Sequence, residues 1–387
     1  VSDDYAKPVE RLGERAQLVR VAAGGDEYLR KEALWPHLDE LAANAARYFE
    51  EGPGIPDVVH GHYADAGYVA QQLARRWQRP FVFTGHSLGR NKQRALRSAG
   101  MTRDEIEDQY RIGRRIQAEE DALRDADLVV ASTQHEVRTG YELYDAAPAA
   151  RFEVIPPGID VERFYPYYYD LDESFEPDEE VVKARVRMKR ELTRFLREPD
   201  KPVVLAISRP DRKKNNLGLV EAYGTDNELR HLANLVIFAG VRSDIEELDE
   251  NEREVMTGLL FAMDRYDLYG RLAIPKKHRP DVDIPVLYRL VAARRGVFVN
   301  PALEENFGIT LIEASSSGLI ITAAGRPLRV TTIRSWVCSS YASVWPPCLL
   351  GRFAFGSSPG VLARSLVVAA ACRPEPGSGR VGAQEGF

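Results

Sequence analysis

Two separate series of short apolar runs, each run followed by an amphipathic stretch, constrain this chain more than any other feature. Near-continuous runs of five or six residues rich in Val, Ile, Leu and Phe fit strands covered by helices on both faces. Their alternation with helical patterns is the mark of parallel α/β architecture. In the first series, Pro56-Asp57-Val58-Val59-His60-Gly61-His62 predicts a buried strand ending in a small polar loop, and Ala66 to Trp77 an amphipathic helix. Pro80 to Ser87 predicts the next strand and loop. One long polar helix is expected from about Arg103 to Arg124, with Ile112, Ile116, Ala118 and Leu123 at helical spacing. Strands at Ala126 to Thr133 and Phe152 to Pro156 complete the series.

The second series contains Pro202 to Ser208, Leu235 to Gly240 and Gly296 to Pro301. Between the two, Tyr165 to Pro202 breaks the alternation with Tyr167-Tyr168-Tyr169, an acidic run and a helical stretch from about Glu179 to Arg197. The organisation expected is a first Rossmann-like domain over 1–165, a connection over 166–200 and a second Rossmann-like domain over 201–325. No solenoid-length repeat is apparent.

A chain of 387 residues is long for one domain and suits two. No run of about 18 uncharged apolar residues exists, which speaks against a membrane span. A net charge of −6 argues against a general nucleic-acid binder, whose phosphate contacts need a basic face. Val1-Ser2-Asp3-Asp4 leads straight into charged sequence with no secretory pattern. Three cysteines exclude a disulfide scaffold and fit a reducing, cytoplasmic setting.

The charge average hides a split. Residues 319–387 hold seven Arg, no Lys, no Asp and only Glu375 and Glu385, for a charge of +5, which leaves −11 for residues 1–318. All three cysteines, Cys338, Cys348 and Cys372, lie in that tail, so they say little about the redox setting of the body. The tail over 326–387 is expected to be either a disordered basic extension or a wrong-frame translation of a GC-rich gene, the second being favoured.

In open α/β sheets ligands bind outside the carboxyl ends of the strands. Four loops follow strands in this way: His60-Gly61-His62, Gly85-His86-Ser87-Leu88-Gly89, Arg209 to Asn215, and Glu304 to Gly308. Arg209 and Lys214, beside a following helix N-terminus, could grip a diphosphate, Arg209 bidentately and Lys214 as a point charge. A solvated basic turn is the plainer reading of the same residues.

Glu305 and Glu313 are eight apart, about 12 Å at helical rise. That exceeds the roughly 5–9.5 Å of a glycosidase carboxylate pair. It suits two carboxylates gripping hydroxyls at two parts of one extended ligand, with the amides of Asn306, Phe307 and Gly308 facing its phosphates. The plainer reading is a helix with an acidic N-terminus.

A metal site is not expected. His60-x-His62 at a strand end is read as sending its rings to opposite faces, and no cysteine lies nearby. Asp281-Val282-Asp283, flanked by prolines, reads as a turn. Ser87 lacks the downstream acid and base of a nucleophile elbow.

Taken in order, these segments resemble the family 4 retaining glycosyltransferases, and within them the enzymes that make sucrose 6-phosphate. The resemblance runs from about Ala23 to Gly318. It rests on His60-Gly61-His62-Tyr63-Ala64-Asp65-Ala66-Gly67, on Thr84-Gly85-His86-Ser87-Leu88-Gly89-Arg90-Asn91-Lys92 and on Arg115-Ile116-Gln117-Ala118-Glu119-Glu120. Ser132 to Glu136, Pro156-Pro157-Gly158-Ile159-Asp160, Leu268-Tyr269-Gly270 and the pair Glu305 and Glu313 continue the series.

The resemblance implies a GT-B fold, two Rossmann-like parallel-sheet domains facing a cleft. It implies transfer of glucose from UDP-glucose or ADP-glucose to fructose 6-phosphate with retention at the anomeric carbon, and no cofactor or required metal. By carry-over, Glu305 meets the sugar, Glu313 the ribose, Arg209 and Lys214 the diphosphate, His86 the transferred glucose, and Lys92 the acceptor phosphate. The Gly-His-Ser-Leu-Gly loop favours a phosphorylated acceptor over free fructose.

Two departures stand out. The first strand and Gly-rich loop of the family have no counterpart ahead of Gly24-Gly25. After Gly318 the family pattern of Pro, apolar strand and Gly-Gly-Pro does not resume. A family 4 enzyme with another acceptor, and a nucleotide-sugar-binding protein without turnover, remain open alternatives.

Overall fold

The computed structural model describes residues 7–25, 29–172, 175–303, 305, 307–323 and the backbone of 365–369. The chain divides into two compact units that change over between Pro156 and Pro157. Each is built on a five-stranded sheet in which every pairing is parallel.

In the first unit the strands are β3 (Val58–His62), β4 (Phe81–Thr84), β5 (Leu128–Ala131) and β6 (Phe152–Val154), preceded by an antiparallel hairpin of β1 (Val9–Arg11) and β2 (Gln17–Val19). Helices α1 (Leu38–Glu51), α2 (Tyr63–Trp77), α3 (Gly89–Ser98), α4 (Arg103–Tyr110), α5 (Ile112–Asp125) and α6 (Gln134–Thr139) connect them. Each strand is short because its apolar run is short, and its buried positions, such as Val59, Phe81, Phe83 and Val129, pack against α1, α2 and α5. Helix α2 lies unusually close to β3. A side chain on Gly61 would come within 2.8 Å of the Gly67 Cα and the Ala70 Cβ, and one on Gly67 would strike the Phe83 ring at 2.6 Å. The His-Gly-His…Gly spacing is therefore a packing requirement that brings the end of β3 and the start of α2 together.

The single long helix expected over Arg103 to Arg124 is two helices. Arg111 sits at φ 47° and breaks the run, and the Glu107 carboxylate accepts from the Gly113 amide at 2.8 Å, replacing a lost helical bond. A Thr102–Glu105 capping box starts α4.

The second unit holds α7 (Glu179–Phe195), β7 (Val203–Ser208), α8 (Asn216–Thr225), α9 (Asn227–Leu232), β8 (Asn234–Ala239), α10 (Glu250–Arg265), β9 (Leu272–Ala273), α11 (Pro280–Ala293), β10 (Val297–Asn300), α12 (Ile309–Ser316) and β11 (Ile320–Ala323). Its sheet runs β11-β10-β7-β8-β9. Apolar clusters on both sheet faces explain the near-continuous apolar strands.

The stretch expected as a connection, 166–200, packs as part of this unit. Met188, Leu192 and Leu196 join the cluster that contains Leu287, Tyr288 and Phe298. Asp170 pairs with Arg185 at 2.6 Å and Arg289 at 3.5 Å, while the Arg289 guanidinium lies 3.8 Å from the Tyr165 ring centre. Asp281-Val282-Asp283, expected as a loop turn, is the first turn of α11. There Asp283, 1% exposed, accepts from Arg187 at 2.6 Å and from the Arg279 amide at 2.7 Å. Carboxylates in a first helical turn offset the unpaired amides of that end.

β11 continues the parallel sheet through Ala323, pairing Val297 with Ile320 and Asn300 with Ala323, so the strand pattern extends past Gly318. Of the tail, only the backbone of β12 (Ser365–Ala369) is described. It lies parallel to β3 in the first unit's sheet, with Val367 opposite His60. The three cysteines and the rest of the expected extension lie outside the described residues.

Candidate active site

The loops singled out in the sequence fall at the carboxyl ends of their strands, and each unit presents its own set.

In the first unit, β3 ends at His62 and β4 at Thr84. His60 and His62 do not diverge, as the sequence reading expected. Residues two apart on a strand share a face, and their rings lie 4.1 Å apart. His62 Nδ1 and His86 Nε2 share a hydrogen bond of 2.7 Å, one ring donating and the other accepting, and His60 Nε2 bonds Thr84 Oγ1 at 2.8 Å. The Tyr63 ring leans on His86, and Lys31 sits 4.4 Å from the centre of the Tyr63 ring. Burial, then the charges His62 and His86 would carry, lowers His60 to about 4. Burial, then His62 and Lys31, holds His86 at about 4. Burial also lowers His62. The three imidazoles are therefore neutral near pH 7.

Both Tyr63 (φ 66°) and His86 (φ 52°) occupy the left-handed region, a strained backbone for residues with side chains and a common feature of ligand sites. The strain at His86 is held by buried partners. The Gly85 amide donates to the Tyr141 hydroxyl at 2.8 Å, the Gly89 amide to Glu119 at 2.9 Å, and the Arg90 amide to the Tyr144 hydroxyl at 3.0 Å. Arg115 donates to the Ser87 carbonyl and to Glu119. A side chain on Gly85 would meet Leu88 at 2.6 Å and Tyr141 at 3.0 Å, so only glycine fits there.

Glu119 is fully buried, and burial raises its pKa against the opposing pull of Arg115 and its hydrogen bonds. The Arg-Ile-Gln-Ala-Glu-Glu motif, noticed in the sequence only as a resemblance, thus has a physical task. It clamps the loop that carries His86. Lys92, one turn into α3, lies 3.8 Å from Glu32 and 4.0 Å from the Tyr110 ring centre.

In the second unit, Arg209 follows β7 directly, Lys214 ends a short 3-10 turn, and Glu305 lies in the loop after β10. The structure brings Lys214 and Glu305 together at 3.0 Å, each about 30% exposed. The Asn300 carboxamide donates to the same Glu305 oxygen at 3.1 Å and accepts from the Ala302 amide at 3.1 Å. Asn300 was missed by sequence reasoning, although its place as the last strand residue could have flagged it. The Leu303 amide donates to the Lys213 carbonyl at 2.9 Å, and Asn215 donates to the Pro301 carbonyl at 3.2 Å, which ties the two loops to each other.

Gly308 turns at φ 77° into α12, with Glu305 and Leu311 close enough to crowd a side chain. Phe307 precedes it, half-buried. Glu304 and Asn306 lie outside the described residues. Glu313, 5% exposed, accepts from the Tyr288 hydroxyl at 3.4 Å, and burial pushes it up to about 7. It is therefore a different kind of carboxyl from Glu305, within the body of its unit rather than in a loop. Among the described residues no group of three or more His, Cys, Asp or Glu is arranged to hold a metal, and no helix is long and apolar enough to cross a membrane.

Comparison with known proteins places these sets in a family. Residues 5–163 match the Glycosyltransferase Family 4 model. Sucrose-phosphate synthase from Zea mays is 40% identical over 368 residues, covering 83% of this chain and 34% of the maize protein. Sucrose-phosphate synthase 4 from Arabidopsis thaliana is 40% identical over 377 residues, covering 84% and 35%. The chain thus spans about a third of the length of the curated relatives it matches.

Among solved structures, sucrose-phosphate synthase from Thermosynechococcus elongatus superposes with a TM-score of 0.63 at 22% identity, covering 87% of this chain and 76% of that one. Trehalose-6-phosphate from E. coli, bound with UDP-2-fluoro glucose, superposes with a TM-score of 0.53 at 14% identity, covering 81% and 71%. At these identities the structures speak for the fold, which is GT-B. The chain is a homologue of the sucrose-phosphate synthases, a family 4 glycosyltransferase sequence on the GT-B fold.

Proposed function

We propose that this chain carries the residues for moving glucose from a nucleoside diphosphate glucose, UDP-glucose or ADP-glucose, to fructose 6-phosphate, giving sucrose 6-phosphate. The observation that carries the reading is the convergence of Lys214, Glu305 and Asn300 at the ends of β7 and β10. A cation and a carboxylate held side by side by a strand-end amide suit a ligand with a diphosphate next to a polyhydroxylated ring. The solved E. coli structure of the same fold, bound with UDP-2-fluoro glucose, supports a donor of this class.

In this proposal Arg209 and Lys214 neutralise the diphosphate, and Glu305 accepts hydrogen bonds from the glucose hydroxyls. The amides of Asn306, Phe307 and Gly308 approach the phosphates, and Glu313 meets the ribose. With its ring engaged by His62, His86 serves the sugar through the main chain of its strained loop. Lys92 takes the acceptor phosphate, exchanging Glu32 for it.

The acceptor hydroxyl oxygen forms a bond to the anomeric carbon on the face that the diphosphate leaves. The carbon–oxygen bond to the diphosphate breaks, its electron pair goes to the departing phosphate, and the hydroxyl proton goes to a phosphate oxygen. No side chain needs to become covalently bonded. The protein acts by positioning and by charge stabilisation. No resident cofactor or metal takes part.

Incubating the chain with UDP-glucose and fructose 6-phosphate, with mass-spectrometric detection of sucrose 6-phosphate, tests the reading. Product formed only with the phosphorylated acceptor supports it. Transfer to another acceptor, or UDP-glucose binding without product, overturns it in favour of a different transferase or a binding protein.

A further inference from the structure

Lys214 and Glu305 sit on different loops, and the pair can serve one donor only if those loops keep a fixed place against each other. The Leu303 amide donates to the Lys213 carbonyl at 2.9 Å, and the Asn215 carboxamide donates to the Pro301 carbonyl at 3.2 Å. Lys213 and Asn215 flank Lys214 in the chain, while Pro301 and Leu303 lie between Asn300 and Glu305. The Lys214–Glu305 contact at 3.0 Å and the Asn300–Glu305 bond at 3.1 Å are thus bracketed by the tie. The charged pair can open to a ligand while the tie keeps the loops in register.

Asn215 is fitted to this place by its backbone and by its side chain. It is left-handed, at φ 54° and ψ 31°, where the 3-10 turn Arg212–Lys214 ends and α8 begins. Asparagine tolerates that conformation better than most residues with side chains, and glycine adopts it freely. The carboxamide is then placed by Gly218, in the first turn of α8. A side chain on Gly218 would come within 2.5 Å of the Asn215 Oδ1, so the missing Cβ leaves the space in which the carboxamide lies. Pro301 presents only a carbonyl there, which makes the carboxamide nitrogen the donor.

We propose that Asn215 is a positioning residue for the glucosyl transfer. Through Pro301 it sets the place of Glu305 against Lys214, and so the place of the donor glucose against its diphosphate. The inference rests on the donor reading given above. Asn215 needs no contact with substrate to act in this way, because a misplacement of about 1 Å at the reacting centre can cost about 100-fold in rate.

The test compares the full chain as wild type, as Asn215→Gly and as Gly218→Ala. Asn215→Gly keeps the left-handed turn and removes the donor. Gly218→Ala pushes the carboxamide aside while raising the helix propensity of α8, so it reaches the same bond without weakening the helix. Turnover and KM are measured with UDP-glucose and with ADP-glucose at saturating fructose 6-phosphate, the affinity for UDP and ADP by calorimetry, and melting by circular dichroism. Both variants should lower kcat by on the order of 10–100-fold. Affinity for the free nucleotide should stay within about threefold, because Arg209 and Lys214 keep their own loop, and Gly218→Ala should melt no lower than wild type. Unchanged kcat in both variants, or nucleotide affinity falling in step with kcat, overturns the role of Asn215 alone. No product from the wild-type chain overturns the transfer reading, and this role falls with it.

Discussion

The first unit's set is half-buried, aromatic and neutral, whereas the second unit's set is charged, with Lys214 half-buried and Glu305 exposed. His60, His62 and His86 stack with their protons excluded by burial, on a loop strained at His86 and clamped by Glu119. Lys214 and Glu305 meet at about 30% exposure with ordinary loop support. The difference teaches where each set gets its precision. The histidine loop is shaped by packing and fixed hydrogen bonds, so its geometry is bought from the core of its unit. The Lys–Glu set relies on charge and can exchange its internal partner for a ligand.

The sharpest way to break this contrast is Glu119→Ala. It leaves the Gly89 amide, the Tyr144 hydroxyl and Arg115 without their buried acceptor, and should cost about 3–5 kcal/mol, measured by urea unfolding. A loss below about 1 kcal/mol would mean the loop is not held from the core. Lys214→Ala should leave stability within about 0.5 kcal/mol, as for an exposed pair. It should reduce glucosyl transfer about 100- to 1,000-fold, the scale of losing one charge-stabilising group, read by product formation at saturating acceptor.

Acidity should move the two units in opposite directions. The folded-state pKa values of the histidines lie below the ordinary 6.5, so their contribution is complete above that value and is lost as pH falls towards 4. Glu313 is raised from 4.5 to about 7, so its contribution is complete below 4.5 and is lost as pH rises through 7. Hydrogen exchange, corrected for intrinsic rates, should show β3 and β4 losing protection on acidification and α12 losing it between pH 4.5 and 7. Parallel behaviour would contradict the contrast. Glu313→Gln should flatten only the second trend, with a stability change at pH 5 of about 1 kcal/mol or less. The smallest effect expected is from EDTA, which should leave transfer unchanged within error.

The alternation of apolar runs made the two sheets legible, because strands covered on both faces need little beyond β-branched residues. The break at Arg111 was not legible, since Ile112, Ile116 and Leu123 keep helical spacing only within α5, and the left-handed Arg111 backbone and the Glu107–Gly113 bond that mark the change of direction are not visible in the apolar pattern. The role of 166–200 was hidden for a similar reason. Its acidic opening reads as a linker, while the buried Asp170–Arg289 contact that ties it down joins residues far apart in sequence. In the candidate site, Lys214 and Glu305 were legible as strand-end loop residues. The meeting of His60, His62 and His86 was not, because it depends on shared strand faces and on the close approach of α2 allowed by Gly61 and Gly67.

The division of labour between the units is tested most directly by steady-state kinetics of Lys92→Ala and Lys214→Ala, varying UDP-glucose and fructose 6-phosphate separately. The account predicts a crossed pattern. Lys92→Ala raises KM for fructose 6-phosphate and leaves KM for UDP-glucose within about twofold, and Lys214→Ala acts on the donor side and on kcat. Both variants raising KM for the same substrate, or Lys92→Ala leaving the use of fructose 6-phosphate untouched, would contradict it.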